Sequence, residues 1–272
     1  MKVGINASPA ELAIALQTYP QVGTSRVFGA PGKGIPGWTS TAVNLLRKAG
    51  VIPWLSFKDW ANDTTATAAI NIWLDTMPTD VPQAWLTYHH EPEGDLLSRE
   101  YRRRWTLLAK TVRYHDNAER VKLVPIHTLY PSRHKASDRY STDWTDWIGV
   151  WQQWAPQDAA GRYIGDYIGW DCYLETTAAQ YEPPEQFFAI PIGAAHQLGA
   201  TLVVPELGSL RIGSDTTGAG RAAWITGCVD YLASRNVAAV NWWHSTGSAG
   251  QDYRLIDTAS ADAWKAALDR FR

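Results

Sequence analysis

The chain has 272 residues, of which 45% are hydrophobic and 19% charged. That is enough apolar material for a large core and too little charge for a disordered chain. The net charge of −2 provides no basic excess for nucleic acid or an anionic membrane surface, and no apolar run reaches the length of a membrane-spanning helix. Two cysteines, Cys172 and Cys228, do not make a disulfide framework and read as buried free thiols. The anomaly is aromatic, 15 Trp against 5 Phe. Cores favour Leu, Ile, Val and Phe because an indole N–H needs a partner. Most of the Trp residues are therefore read as core, and those at strand ends as candidates for stacking on the C–H faces of a sugar.

Met1-Lys2-Val3-Gly4-Ile5-Asn6 reads directly as a strand, without a charged start and apolar leader. The compartment, secreted or not, stays open. Strand-like runs then recur at Lys2 to Ala7, Ser25 to Ala30, Val51 to Phe57, Ala84 to Glu91, Val121 to Thr128, Tyr167 to Leu174, Thr201 to Glu206 and Ala238 to Ser245. The spacers read as helices. Thr39 to Ala49 starts on a Ser/Thr cap and stops before Gly50, Leu97 to His115 is long and amphipathic, and Arg221 to Ser234 follows a Gly/Thr-rich loop. This alternation predicts a parallel α/β fold, with a closed barrel or an open doubly wound sheet as the candidates. Eight strands and a length close to the typical ~250 residues favour the (β/α)8 TIM barrel. No Gly-rich phosphate loop follows the first strand, as a dinucleotide fold would need. Residues 1–272 show no linker or repeat and are expected to form one domain and a monomer. Two long loops, Pro131 to Asp146 with Tyr140 and Ser209 to Gly220, fall on the expected active face as cleft walls, and Glu175 reads as a loop cap.

Two of the runs close on glutamate, Thr87-Tyr88-His89-His90-Glu91-Pro92 and Val203-Val204-Pro205-Glu206-Leu207-Gly208. A strand-end Glu alone reads as a salt bridge or a loop cap. Two of them at the mouth of one barrel form the minimum apparatus for cleaving a glycosidic bond, one carboxyl as acid/base and one as nucleophile. Their pKa values must be driven apart. Tyr173 can donate to a carboxylate across the barrel, and Arg26 can hold one ionised by its charge. Metal chemistry is the rival for His89-His90-Glu91, but adjacent strand residues diverge, no His-x-His or Cys-x-x-Cys accompanies them, and the first strand offers only Asn6. No metal or cofactor is expected, and no Gly-x-Ser-x-Gly elbow is present.

These motifs resemble the clan A glycoside hydrolases, retaining (β/α)8 enzymes whose acid/base Glu ends strand four and whose nucleophile Glu ends strand seven. His90-Glu91-Pro92-Glu93-Gly94 is similar to the strand-four segment of family 26, the β-mannanase group, although that family has Asn-Gly where Glu93-Gly94 stands. Glu206-Leu207-Gly208 resembles the family's Glu-Phe-Gly, and Gly169-Trp170-Asp171-Cys172-Tyr173 its strand-six segment. The run Asn241-Trp242-Trp243-His244 resembles the strand that carries a sugar-stacking Trp. The resemblance implies Glu91 as acid/base, Glu206 as nucleophile and Tyr173 as the residue that orients Glu206. It implies His90, Trp170, Trp242 and Trp243 as sugar contacts, with a bulge needed to bring both His90 and Glu91 into the cleft. Alternation allows only one of Trp242 and Trp243 to face inward.

Other residues carry two readings. Asp171 is a hydroxyl contact or an interior salt bridge. His127 and His244 are sugar contacts or structural histidines. Glu93, with Asp95 beside it, is a substrate contact and the backup acid if the register is off. The expected partner is a carbohydrate, mannan by the family resemblance. A cell-envelope or capsule glycan hydrolase of a phage or lytic system, and a non-catalytic sugar-binding barrel, are the alternatives.

Overall fold

The computed structural model describes residues 1–93, 95–129, 151–174, 177–247 and 250–272. The loop from Pro131 to Asp146, Gly94 and Glu175 lie outside the described residues.

The strands are β1 (Lys2–Ala7), β2 (Thr24–Phe28), β3 (Ile52–Phe57), β4 (Ala84–Tyr88), β5 (Val121–Leu123), β6 (Ile126–Thr128), β7 (Tyr167–Tyr173), β8 (Thr201–Gly208) and β9 (Ala239–His244). All pairings between them are parallel, in the orders β1-β9-β8-β7-β6 and β2-β3-β4-β5. β5 and β6 are two halves of a single stave, the Val121 to Thr128 run, parted at Val124-Pro125. Proline has no N–H to give the ladder. The Pro125 carbonyl still accepts from Gly169 N at 2.8 Å, and Val124 N donates to Leu86 O at 3.0 Å, so the stave stays attached on both sides. Counted this way the barrel has the eight staves expected of it.

The remaining seam, β1 against β2, is closed partly by a side chain. Gly23 N reaches Val3 O at 2.9 Å, and Arg26 N donates to Asn6 Oδ1 at 2.9 Å. The two strands approach so closely that a Cβ at Gly4 would stand 2.1 Å from Thr24 O, so only glycine fits there.

Alternation sorts side chains into two cores. Trp54, Trp85, Val124, Ile126, Val203 and Ala239 fill the barrel interior, as stacked bulky layers fill such barrels. A larger cluster lies between the sheet and the helices. The helix Ser98–Arg113 shows the pattern, burying Tyr101, Trp105, Leu108 and Val112 on one face. Asn62 and Asp257 cap the helices Asp63–Asp75 and Thr258–Arg270 with bonds to Thr65 N and Ser260 N. Much of the Trp excess is structural. Trp54, Trp85, Trp105, Trp154, Trp170, Trp242 and Trp264 are buried.

Candidate active site

Glu206 owes its direction to an extra residue. On β7 two steps separate Gly169 from Asp171, and on β8 three separate their partners, Val203 and Glu206. The β9 side repeats this, with Val204 and Leu207 facing Val240 and Trp242. Val203 lies in the interior core and Val204 in the outer one, so plain alternation would send Glu206 outward. The bulge at Pro205 resets the phase. Asn6 Nδ2 donates to the displaced Pro205 carbonyl at 2.7 Å.

Strand four reaches the same end by other means. The expected run to Glu91 is shorter, stopping at Tyr88. His89 and Glu91 then adopt left-handed backbone, with φ of 45° and 50°, which costs on the order of 1–3 kcal/mol each for residues other than glycine. This left-handed exit, rather than a paired bulge, turns both His90 and Glu91 to the mouth. His90 Nδ1 lies 3.1 Å from Ser56 Oγ, and its ring meets Phe28 edge-on at 5.4 Å. Glu91 N donates to Ile126 O at 3.0 Å, and the Thr128 side chain bonds the Glu91 carboxyl. His89 points away, to Asp95 Oδ2 at 3.2 Å. Asp95 also binds Lys58, and these bonds, that of His89 foremost, lower its pKa to about 2.

The charges converge on Arg26, which is buried. Its Nη1 donates to Glu206 Oε1 at 2.7 Å and to Asp171 Oδ2 at 3.1 Å, and its Nη2 to Ser56 Oγ at 3.1 Å. The Tyr173 hydroxyl donates to Glu206 Oε2. Both oxygens of Glu206 thus act as acceptors, as a nucleophilic carboxylate requires, and each keeps a further lone pair. One guanidinium serves three carboxyls, so they cannot all ionise at equal cost. Burial first, then the Glu206 charge, pushes Glu91 up to about 7. The same two causes, in the same order, push Asp171 well above the usual carboxylate range. Burial opposes the charge of Arg26, but Asp171 and Glu206 outweigh it and raise its pKa. Burial and the Arg26 charge push His90 far below its ordinary range, leaving a neutral imidazole. A desolvated ion cluster of this kind is weak as a stability device, whereas carboxyls with separated pKa values in a cleft are what acid/base chemistry needs.

Of the residues singled out in the sequence, Glu91, Glu206, Tyr173, Arg26, Asp171 and His90 come together here. Trp243 joins them, half-buried and edge-on to Phe28 at 5.8 Å. Others lie off the cleft, Trp170, Trp242, His127 and His244 because alternation places them on the helix side, and Glu93 because it bonds His127 there. Trp242 packs on Trp264 at 5.6 Å and gives its N–H to Tyr253 O. Trp170 is fully buried, with the His127 ring 4.9 Å away. His127 Nδ1 pairs with Glu93 Oε1 at 2.9 Å, and both side chains are buried. His244 Nδ1 accepts from Leu255 N at 3.1 Å. The reading of Trp170, Trp242, His127, Glu93 and His244 as sugar contacts is corrected accordingly. The sequence reading passed over Phe28, Ser56 and Thr128. Phe28 stands two residues past Arg26 and Ser56 two past the interior Trp54, so alternation was the signal for both. Among the described residues no group of three His, Cys, Asp or Glu side chains is arranged to hold a metal ion.

No family model matches the chain, and no curated protein matches it in sequence. Solved structures do. An endo-β-1,4-glucanase of Xanthomonas axonopodis pv. citri superposes with a TM-score of 0.66 at 12% identity, over 99% of both chains. The chain has the (β/α)8 fold of glycoside hydrolases. An endo-β-1,4-mannanase of Thermotoga petrophila gives 0.62 at 11% identity, covering 99% of this chain and 76% of that one. An oligosaccharide-binding protein of Trichoderma gamsii, placed in glycoside hydrolase family 128, gives 0.58 at 13% identity over 99% and 94%. At such identities the likeness establishes the fold, and chemistry has to come from the site.

Proposed function

We propose that the protein is a retaining glycoside hydrolase acting on a β-linked polysaccharide. The observation that carries this is the division of labour between Glu206, bonded to a buried arginine, and Glu91, which among the described residues is not. Glu206 accepts from Arg26 and Tyr173, while Glu91 is pushed up to about 7 and keeps its proton near neutrality.

In this reading Glu206 attacks the anomeric carbon as Glu91 gives its proton to the departing glycosidic oxygen. A covalent glycosyl-enzyme results. Glu91, now a base, takes a proton from water, which attacks the same carbon and releases Glu206. Arg26 and Tyr173 hold the nucleophile in line, Asp171 fixes the other side of Arg26, and neutral His90 meets the sugar beside Ser56. Trp243 and Phe28 supply an aromatic wall. The kinship with family 26 rests on His90-Glu91, Asp171 with Tyr173, and Glu206-Leu207-Gly208. Mannan follows from that kinship, and the glucanase and mannanase of the same fold make β-1,4-glucan and β-1,4-mannan the first substrates to try.

The test is hydrolysis of β-linked glucans, mannans and cell-envelope glycans by wild type and Glu206→Ala, with the anomer followed by proton NMR. Turnover that Glu206→Ala abolishes, with the β-anomer released first, is the expected result. Glycan binding without turnover would favour the second reading, a sugar-binding barrel like the oligosaccharide-binding protein of the same fold.

A further inference from the structure

The buried pair formed by Glu93 and His127 has no part in the chemistry above, yet it sits two residues from the acid/base. The short strand β6 grips the turn after β4 in three consecutive places. Ile126 accepts from Glu91 N at 3.0 Å, His127 Nδ1 meets Glu93 Oε1 at 2.9 Å, and Thr128 bonds the Glu91 carboxyl. Ile126 and Thr128 lie on the barrel side and His127 on the helix side, against Trp170. The turn is therefore held from both faces of one strand. It needs holding, because His89 and Glu91 both carry left-handed backbone that relaxes unless its surroundings fix it. Burial of both partners excludes a solvated surface pair. Among the described residues nothing else bonds Glu93 Oε2 or His127 Nε2, so each partner depends on the other.

We propose that Glu93 and His127 form the positioning pair of the acid/base, locking the strained turn so that the Glu91 carboxyl stays against Thr128 and faces the scissile oxygen. The proposal rests on the hydrolase reading. Besides its own carboxyl neighbour Glu93, Glu91 faces Glu206 and Arg26 from β8 and β2, Thr128 from β6, and Asp171 and Tyr173 from β7. Glu93 adds its negative charge to this set and helps to keep Glu91 protonated.

The experiment compares wild type, Glu93→Gln and His127→Gln on two β-cellobiosides (or mannobiosides, whichever the wild type cleaves), one with a dinitrophenyl and one with a phenyl leaving group. The phenyl substrate depends on the acid and the dinitrophenyl one does not. The expected result is a fall of about 10- to 100-fold in kcat/KM on the phenyl substrate, with little change on the other, in both variants. Equal losses on the two substrates, or no loss, would overturn the proposal. His127→Gln carries the decision if Glu93→Gln does not fold. A second readout needs no turnover, a carbon-13 NMR titration of Glu91. In His127→Gln, which keeps the Glu93 carboxyl, a loosened turn moves the Glu91 titration by breaking its bond to Thr128, and an unmoved titration there would overturn the proposal. Wild type inactive on every glycan would instead defeat the hydrolase reading, and the titration would still decide whether the pair positions Glu91.

Discussion

Arg26 and Glu206 meet at 2.7 Å across the mouth of the barrel, the arginine side chain fully buried and the glutamate 9% exposed. Breaking a buried pair from one side leaves an uncompensated charge, which typically costs about 3–5 kcal/mol. Arg26→Met is expected to lose stability of that order in urea unfolding at pH 7 and to lose turnover. Because Asp171 shares the same guanidinium, Arg26→Met/Asp171→Asn should recover part of the stability and none of the activity.

Glu91 sets the alkaline limb of the pH profile. It must be protonated to serve as an acid, so kcat/KM should fall as pH rises through about 7. Glu91→Gln should remove that limb and spare substrates with good leaving groups in the first step. Stability also falls with rising pH, but over a lower window. With its folded pKa above the ordinary value of 4.5, the folded state binds more protons between those two values, so Glu91 weakens the fold progressively as pH rises through that window. Glu91→Gln should therefore melt higher than wild type at pH 8, and the gain should vanish by about pH 4. Calorimetry at the two pH values checks this.

Tyr173→Phe removes the hydroxyl that donates to Glu206 Oε2. A hydrogen bond to a charged group contributes about 1.5–3 kcal/mol, so kcat should fall roughly 10- to 100-fold with little change in KM. A comparable rise in KM at constant kcat would assign Tyr173 to substrate binding instead.

The adjacent tryptophans should separate cleanly. Trp242 is fully buried between the sheet and Trp264, and Trp242→Ala should cost about 3–5 kcal/mol of stability. Trp243 is half-buried at the mouth, and Trp243→Ala should raise KM while leaving the melting temperature within a few degrees. Thermal unfolding and Michaelis kinetics on the same two variants give the comparison.

The barrel was legible in the sequence because strand periodicity and helix-length spacers survive in any single chain. β1 has the bounds read from its residues, and β2, β3 and β9 differ only at their ends. The site was legible in its identities and less so in its directions. Sugar-facing His127 was inferred from nearness to a strand end and Trp170 from the family resemblance, but alternation counted from Asp171 and Ile126 turns both to the helices. The failure at Glu93 was different. Nothing in Pro92-Glu93-Gly94 announces that a carboxylate past a strand end folds back onto a histidine 34 residues away. The exit of β4 was misjudged because left-handed backbone at His89 and Glu91 has no local signature in residues other than glycine. Pro205 does mark its bulge, since proline inside a sheet is confined to edges and bulges, but the sequence reading passed over it.

Glu206 depends on a slip of one residue at Pro205, whereas Glu91 keeps the interior phase of Trp85 and Thr87 and it is His90 that the left-handed exit brings round to Ser56. Ironing out the bulge with Pro205 kept would restore the plain alternation of β8, and Glu206 would then point among the helices with every residue retained. The facing of Glu206 to Asp171 across the bulge is therefore a surer mark of a working cleft than the presence of the glutamates themselves.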